Sequence, residues 1–437
     1  MVHPLTYFLR KTVFQNKINA IKESTKLYNS NISPKKIIEI QIKKFNFLWK
    51  KIQIEHSFYK LWMHENKLPK KISTINEISD FPSLTKKIIN ERHKLIIPND
   101  TSYRTTYTGG TSGVTTIFPT NDIESFNAYV ASYTGRQWWG VYPLSKIVML
   151  WGHSHLFENG IKGQYQHFKR KIKDFIINTN RISSYELSET NLVIFFNIIN
   201  KLTPSTIISY SGNIFRLAKF MHENNLKFKF GKIEKVIVTS ETLYTNDIIL
   251  IKKILAENVI NEYGMAETGV IGYSKNSTQN INIFWNNFIL TKNSNDNLFI
   301  TTLTERVFPL INYDSEDKVK TMLIKDNSIL KIKEILGKTR NNLPIKLING
   351  ITVDVSTIFF DHVLKYLPNI YSVQYLIKKD VVYIILNVSE NVNINYIYKI
   401  CIKKITENFG IPDITKIIIK SDSSTKTIAG KHSTFIK

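Results

Sequence analysis

The sequence predicts an α/β protein: a large unit built on mixed or parallel sheets, followed by a small α+β unit. Three observations carry that reading. Short β-branched runs alternate with helical periodicity between residues 206 and 263, the pattern of a parallel sheet. After Gly337 the character changes to one compact set of helices and strands. The length, 437 residues, exceeds a single ordinary core. The expected division is a large unit over residues 1–336, with a mostly helical lead-in over 1–100, and a small unit over 337–437.

The elements follow in order. Phe58–Lys67 reads as a helix and a Pro-punctuated linker follows it. Thr206–Ser209 is a β-branched run, Asn213–Asn224 is helical, and Lys235–Thr239 is again strand-like. Asn246–Glu257 has helical spacing, and Val259–Tyr263 closes the series as a strand. Such alternation implies parallel strands joined by right-handed crossovers. Ligands of open parallel sheets bind beyond the carboxyl ends of the strands. Tyr210-Ser211-Gly212, Ser240-Glu241 and Tyr263-Gly264-Met265-Ala266-Glu267 all fall there. One such cluster would be an ordinary loop, but three from successive strands converge on one place.

In the last hundred residues a helix is expected near Ser356–Tyr366, with Ser356 as its N-cap and Pro368 beyond its end. Strands at Ser372–Ile377 and Val381–Val388 come next, with Lys379-Asp380 at the turn. A helix over Ile394–Asn408 and a strand over Thr415–Lys420 complete the small unit, leaving a polar tail, Asp422–Lys437. No repeat of 20–50 residues is present, which argues against a solenoid.

Composition narrows the class. Hydrophobic residues make up 43% and charged residues 22%, a globular balance that excludes disorder as the main state. A single cysteine, Cys401, excludes an intramolecular disulfide framework and a cysteine-rich zinc module. No apolar run reaches membrane-spanning length, and the N-terminus lacks the apolar core of a signal peptide, so a cytoplasmic protein is expected. The net charge is +24, large enough to raise nucleic acid as a partner. The lysines are scattered through every segment and form no stripe or tail, which argues against that partner. A polyanionic substrate such as ATP would gain from the same field.

The strongest local signal is Tyr107-Thr108-Gly109-Gly110-Thr111-Ser112-Gly113-Val114-Thr115. Glycines 109, 110 and 113 let backbone N–H groups converge on an anion, and Thr108, Thr111 and Ser112 add hydroxyl donors. No Gly-Lys-Ser/Thr follows, so this is not a Walker loop; alone, it reads equally as a Gly-rich hairpin turn. Glu267, at a strand end, suits a Mg²⁺ ion that takes one or two carboxylates plus phosphate oxygens; alone, it reads as a surface glutamate starting a helix. Tyr263 offers a face to a base, although core packing is the commoner use of such an aromatic. Asp317 in Pro309-Leu310-Ile311-Asn312-Tyr313-Asp314-Ser315-Glu316-Asp317 can accept from ribose hydroxyls, or simply belong to a charged turn. His153 and His155 share a strand face without further metal ligands in view, Trp138, Trp139 and Trp285 read as core or pocket wall, and Cys401 reads as inert.

Order and spacing give these motifs their meaning. A Gly/Ser/Thr loop, then Ser-Glu, Tyr-Gly-x-x-Glu, Tyr-x-x-x-Asp and a terminal Gly-Lys resembles the adenylate-forming enzymes. The closer likeness is to the phenylacetate–CoA ligase-like, CapK-type branch encoded with surface-polysaccharide genes. The resemblance runs from about Phe58 to Lys437 and includes Asp80-Phe81-Pro82-Ser83-Leu84-Thr85-Lys86 and Ile208-Ser209-Tyr210-Ser211-Gly212. It implies a large AMP-binding domain and a small mobile C-terminal lid. Activation of a small carboxylic acid by ATP and Mg²⁺ would precede acyl transfer to coenzyme A or an amine.

By that resemblance Thr108, Gly109, Gly110, Thr111, Ser112 and Gly113 cradle the phosphates. Ser240 and Glu241 line the adenine pocket, Tyr263 and Gly264 meet the base, and Glu267 holds Mg²⁺. Asp317 binds the ribose, Lys338 stands at a nucleotide-contacting arginine position, and Lys431 is the mobile catalytic lysine. Several positions depart from the pattern: Val114 for lysine, Thr115 for proline, Ala266 for threonine, Asn312 for arginine, Glu316 for glycine and Lys338 for arginine. A lost donor in such a site costs a few kcal/mol of transition-state stabilisation. The rival reading is a basic nucleic-acid- or surface-binding protein on a vestigial nucleotide fold.

Overall fold

The computed structural model describes residues 12, 14–97, 103–107, 116–151, 171–183, 189–276, 278–338, 342–364, 367, 370–388 and 392–422. The first described elements of three or more residues are helices α1 (Gln15–Asn29), α2 (Pro34–Glu55) and α3 (Ser57–Asn66). Ser33 caps α2 by accepting from the Lys36 backbone N–H, and Pro34 sits at the first helical position, where its missing N–H costs nothing. Short helices α4 (Lys86–Glu91) and α5 (His93–Ile96) lead to a hairpin of β1 (Arg104–Tyr107) and β2 (Ile117–Thr120). Helix α6 (Asp122–Gln137) follows, capped by the Asn121 side chain.

The central part is β3 (Ile147–Trp151), β4 (Thr179–Ser183), α7 (Glu189–Leu202), β5 (Thr206–Tyr210), α8 (Ser211–Glu223), β6 (Ile233–Thr239), α9 (Thr245–Ile254) and β7 (Ala256–Met265). Strands β4, β3, β5, β6 and β7 pair in parallel in that spatial order. Every residue of β5 is buried, as a strand covered on both faces requires. The expected helix over Asn246–Glu257 stops at Ile254, because Ala256 already pairs with Ile233 in the ladder.

The sheet then continues antiparallel through β8 (Gly269–Ser274), β9 (Ile281–Ile283), β10 (Phe288–Lys292), β11 (Asn297–Thr302), β12 (Tyr313–Lys325) and β13 (Ser328–Lys338). The described residues thus form an 11-stranded mixed sheet ordered β10-β11-β12-β13-β9-β8-β7-β6-β5-β3-β4. One core packs α7, α8 and α9 on one face through residues such as Phe195, Leu217 and Ile251. Another lies on the opposite face around Ile237, Ile260, Tyr273 and Phe284. A third joins α2 and α3 to the β10–β12 region through Trp49, Phe58, Tyr59 and Phe308.

The remaining strands and helices are β14 (Asn342–Lys346), β15 (Thr352–Ser356), α10 (Thr357–Leu364), β16 (Ile370–Lys378), β17 (Val381–Val388), α11 (Ile394–Phe409) and β18 (Ile417–Ser421). A fourth core draws only on residues from this stretch, including Phe360, Tyr375, Leu386 and Cys401. Lys379 and Asp380 both take positive φ, as a two-residue hairpin turn of this hand demands. The strand expected from Thr415 begins at Ile417, after a turn of 3₁₀-helix over Ile414–Lys416 whose Thr415 N–H is held by Asp413.

Candidate active site

The carboxyl ends of β5, β6 and β7 bring the expected clusters together. Ser240, just past β6, adopts a left-handed backbone with φ of 69°. Glu241 next to it turns back onto the start of α8, where its Oε2 accepts from the Gly212 N–H at 2.7 Å. That N–H belongs to the first turn of a helix and has no partner within it, so a carboxylate is the natural cap. A Cβ on Gly212 would lie 2.9 Å from the same oxygen, so a larger residue there would push the Glu241 carboxylate aside. Burial pulls the Arg216 guanidinium, one turn further along α8, down to about 10, and the Glu241 charge opposes it.

Glu267 sits in the tight turn between β7 and β8, not at a helix start. It is only 4% exposed, so the reading of a surface glutamate fails. Its Oε1 accepts from the Tyr313 hydroxyl at 2.7 Å, and its carbonyl accepts from Arg306 Nη2 at 2.6 Å. The same guanidinium nitrogen lies 2.8 Å from Glu124 Oε2, and Glu124 Oε1 accepts from the Val307 N–H at 2.8 Å. Burial raises the Glu124 carboxyl and Arg306 pulls it back. Arg306 therefore clamps the turn to the first turn of α6.

Gly264 faces the other strand of that hairpin. A Cβ there would come within 2.5 Å of the Gly269 carbonyl oxygen, so close backbone approach already accounts for the glycine. Tyr263, in β7, is 6% exposed and donates its hydroxyl to Asp317 Oδ2 at 2.9 Å. Burial, then the Asp317 charge, pushes this phenol well above its ordinary value. Lys338 is the ladder partner of Asp317 across β12 and β13.

The segment entering β12 is stitched to the Asp80–Lys86 motif. Leu84 N–H donates to the Asn312 carbonyl at 3.1 Å, and Asp314 N–H donates to the Leu84 carbonyl at 3.0 Å. The Asn312 side chain adds a 2.6 Å bond to the Phe81 carbonyl. This stitching delivers Lys86 to Glu316, with Nζ 3.1 Å from Oε2 and both residues at most 9% exposed. Glu316 has φ of 62°, the left-handed conformation that suits the glycine of the resembled pattern.

Thr108–Gly113, Val114, Thr115, His153, His155 and Lys431 lie outside the described residues. The hairpin on either side of the loop is described, with Tyr107 opposite Ile117. Phe118 on its second strand meets Tyr313 edge-on at 6.4 Å, beside Glu267. Trp138, Trp139 and Trp285 belong to packed aromatic clusters, as expected. Sequence reasoning missed Lys86, Glu124, Arg306 and the Tyr313 hydroxyl as partners of the site. Lys86 stood inside a motif read only for its order, and nothing in local periodicity pointed to the others.

No set of three described His, Cys, Asp or Glu residues is placed to hold a metal by itself. Glu267 remains a fit for a Mg²⁺ ion whose other ligands are phosphate oxygens and water. A cavity of about 470 Å³ is lined by Arg306, His56, Lys94 and Val307 among others, and none of the expected site residues lines it.

No family model matches the chain. Protein CapK of Staphylococcus aureus is 27% identical over 358 residues, covering 76% of each chain. A crystal structure of 2-hydroxyisobutyryl-CoA ligase in the postadenylation state, in complex with R3-HIB-AMP, superimposes with a TM-score of 0.64. It covers 91% of this chain and 88% of that one at 12% identity. The chain has the fold of the adenylate-forming enzymes. McyG A-PCP complexed with phenylalanyl-adenylate matches at a TM-score of 0.52 and 14% identity, over 87% of this chain and 77% of that one. The adenylate-forming fold accounts for the mixed sheet and for the small C-terminal set of strands β16–β18. No described helix is long and apolar enough to cross a membrane.

Proposed function

We propose that this protein is an ATP-dependent ligase that activates a small carboxylic acid as its acyl-adenylate and passes the acyl group to coenzyme A or an amine. The observation that carries this reading is the buried group formed by Glu267 with Tyr313, Tyr263 with Asp317, and Lys86 with Glu316, at one end of the sheet beside Phe118 of β2.

In the first half-reaction a carboxylate oxygen of the acid bonds to the α-phosphorus of ATP. The bond from that phosphorus to the bridging oxygen breaks, and pyrophosphate leaves with the electron pair. Glu267 would hold Mg²⁺, which supplies positive charge to the phosphate oxygens. Thr108–Gly113 would cradle the phosphates, and Lys431 would neutralise charge that develops in the transition state. Asp317 would accept from the ribose hydroxyls, with Tyr263 holding its Oδ2 in place. Ser240, Glu241 and Gly264 would bound the adenine pocket, and Lys338 would follow Asp317 around the nucleotide. The second half-reaction passes the acyl carbon to a thiol or amine, with AMP leaving. The acceptor would serve surface-polysaccharide synthesis in the cytoplasm, as the resemblance to the CapK-type branch implies.

The test is Mg²⁺-dependent exchange of labelled pyrophosphate into ATP across a broad panel of small carboxylic acids. Exchange with at least one acid is expected. Absence of exchange with every acid, together with no ATP binding by calorimetry, would contradict the reading.

A further inference from the structure

The Lys86–Glu316 pair is not among the roles assigned above, and three independent features of it point the same way. The pair is buried, and it joins two segments 230 residues apart. Removing an ammonium from water is costly unless a partner is fixed in place, so neither side chain reached this position by default. Glu316 also holds a left-handed backbone, a conformation for which glycine is better suited. The residue therefore trades local strain for the reach of its carboxylate. Finally, the turn so held comes immediately before Asp317. The Glu316 N–H donates to Asp314 Oδ1 at 2.8 Å, and the Asp317 N–H donates to Ser315 Oγ at 3.1 Å.

We propose that Lys86 is a positioning residue for nucleotide binding: its ammonium, anchored on Glu316, fixes the left-handed turn that aims the Asp317 carboxylate. The inference rests on the reading of Asp317 as the ribose acceptor. Geometry carries it, and electrostatics agrees. Burial lowers the Lys86 ammonium, but the charges of Glu267, Glu316 and Asp317 outweigh that and raise it. The same cation therefore also offsets repulsion among carboxylates that share a dry site.

The two segments are locked together through backbone as well as side chain. Leu84 bridges Asn312 and Asp314, so Lys86 cannot drift from the turn without breaking that bridge. The pair thus acts as the last fastening of a seam, at its end next to Asp317. A glycine at 316 would take the same backbone conformation but would leave the ammonium without this anchor.

The experiment is a double-mutant cycle of Lys86→Met and Glu316→Gln, with Lys86→Arg as rescue and the neighbouring exposed Lys87→Met as control. Each protein is tested for ATP binding by calorimetry, for thermal midpoint, and for the KM of ATP and of the acid in exchange. Lys86→Met should weaken ATP binding on the order of tenfold, the size expected when one charge-assisted contact is lost. The acid KM should change less than twofold. Lys86→Arg should restore most of the ATP affinity, the double variant should be no worse than Lys86→Met, and Lys87→Met should match the parent. Equal weakening for ATP and acid, additive losses in the double variant, or a lower thermal midpoint with unchanged ATP affinity would each overturn the proposal. A parent protein that binds ATP without exchange would contradict the ligase reading, while the binding cycle would still decide the role of Lys86. A parent that binds no ATP would overturn both.

Discussion

At the scale of single residues, Glu267 is the carboxylate on which the proposed chemistry turns. A turn between antiparallel strands would ordinarily expose it, yet Tyr313 and the Arg306–Glu124 clamp hold it inside the protein. Arg306 bonds the Glu267 backbone and not its carboxylate, so the turn keeps its shape when the side chain is neutralised. Glu267→Gln should therefore lower pyrophosphate exchange by roughly 10²–10³-fold, the usual cost of removing one preorganised charge partner of a transition state. Its thermal midpoint should stay within a few degrees of the parent, which a melting curve checks. A comparable loss in both would mean that Glu267 serves the fold alone. Cys401 is the contrasting case: fully buried in the small core, its thiol is pushed up to about 12 by burial, consistent with the inert role read from its helical pattern.

At the scale of elements, the β7–β8 hairpin places Tyr263 and Glu267 on either side of a glycine that cannot be replaced cheaply. Gly264→Ala would drive a methyl to 2.5 Å from the Gly269 carbonyl. We expect a loss of about 1–3 kcal/mol, as for other overpacked sites, read as a lower urea midpoint with an unchanged slope. Gly140→Ala is the comparison, because no atom lies within 4 Å of its Cβ and only its φ of 69° opposes the change. A smaller loss is expected there. The parallel strands were legible because buried β-branched runs and short crossovers leave a strong local pattern. The antiparallel half of the sheet, β8 to β13, was not. Its strands break the usual pattern of apolar inside and polar outside: Thr291, Thr301 and Thr302 are buried while Met322, Leu323 and Ile324 at the outer end of β12 are exposed, and register shifts interrupt the β12–β13 pairing. The β14–β15 hairpin was missed for a similar reason, since Pro344 interrupts the strand pattern while still pairing with Asp354. Convergence of the three loops could be argued from topology. The long-range partners, Lys86 on Glu316 and Arg306 on Glu124, depend on which segments the fold stitches together, and no local spacing records that.

At the scale of the whole molecule, the mixed sheet gathers the ends of β5, β6 and β7 with the start of β12, and the helical lead-in contributes Lys86 to the same place. The net charge of +24 comes from lysines scattered through every segment of the sequence, and such a field would favour the polyanionic nucleotide of the proposed function. If a carboxylate attacks the α-phosphorus, as proposed, its oxygen can be followed directly. The protein is incubated with ATP, Mg²⁺, coenzyme A or an amine, and carboxylic acids labelled with ¹⁸O in the carboxylate. Mass spectrometry of the nucleotide product should find AMP carrying one ¹⁸O, because the attacking oxygen stays on phosphorus when the acyl group departs. AMP without label, ADP as the product, or no nucleotide turnover with any acid would contradict it.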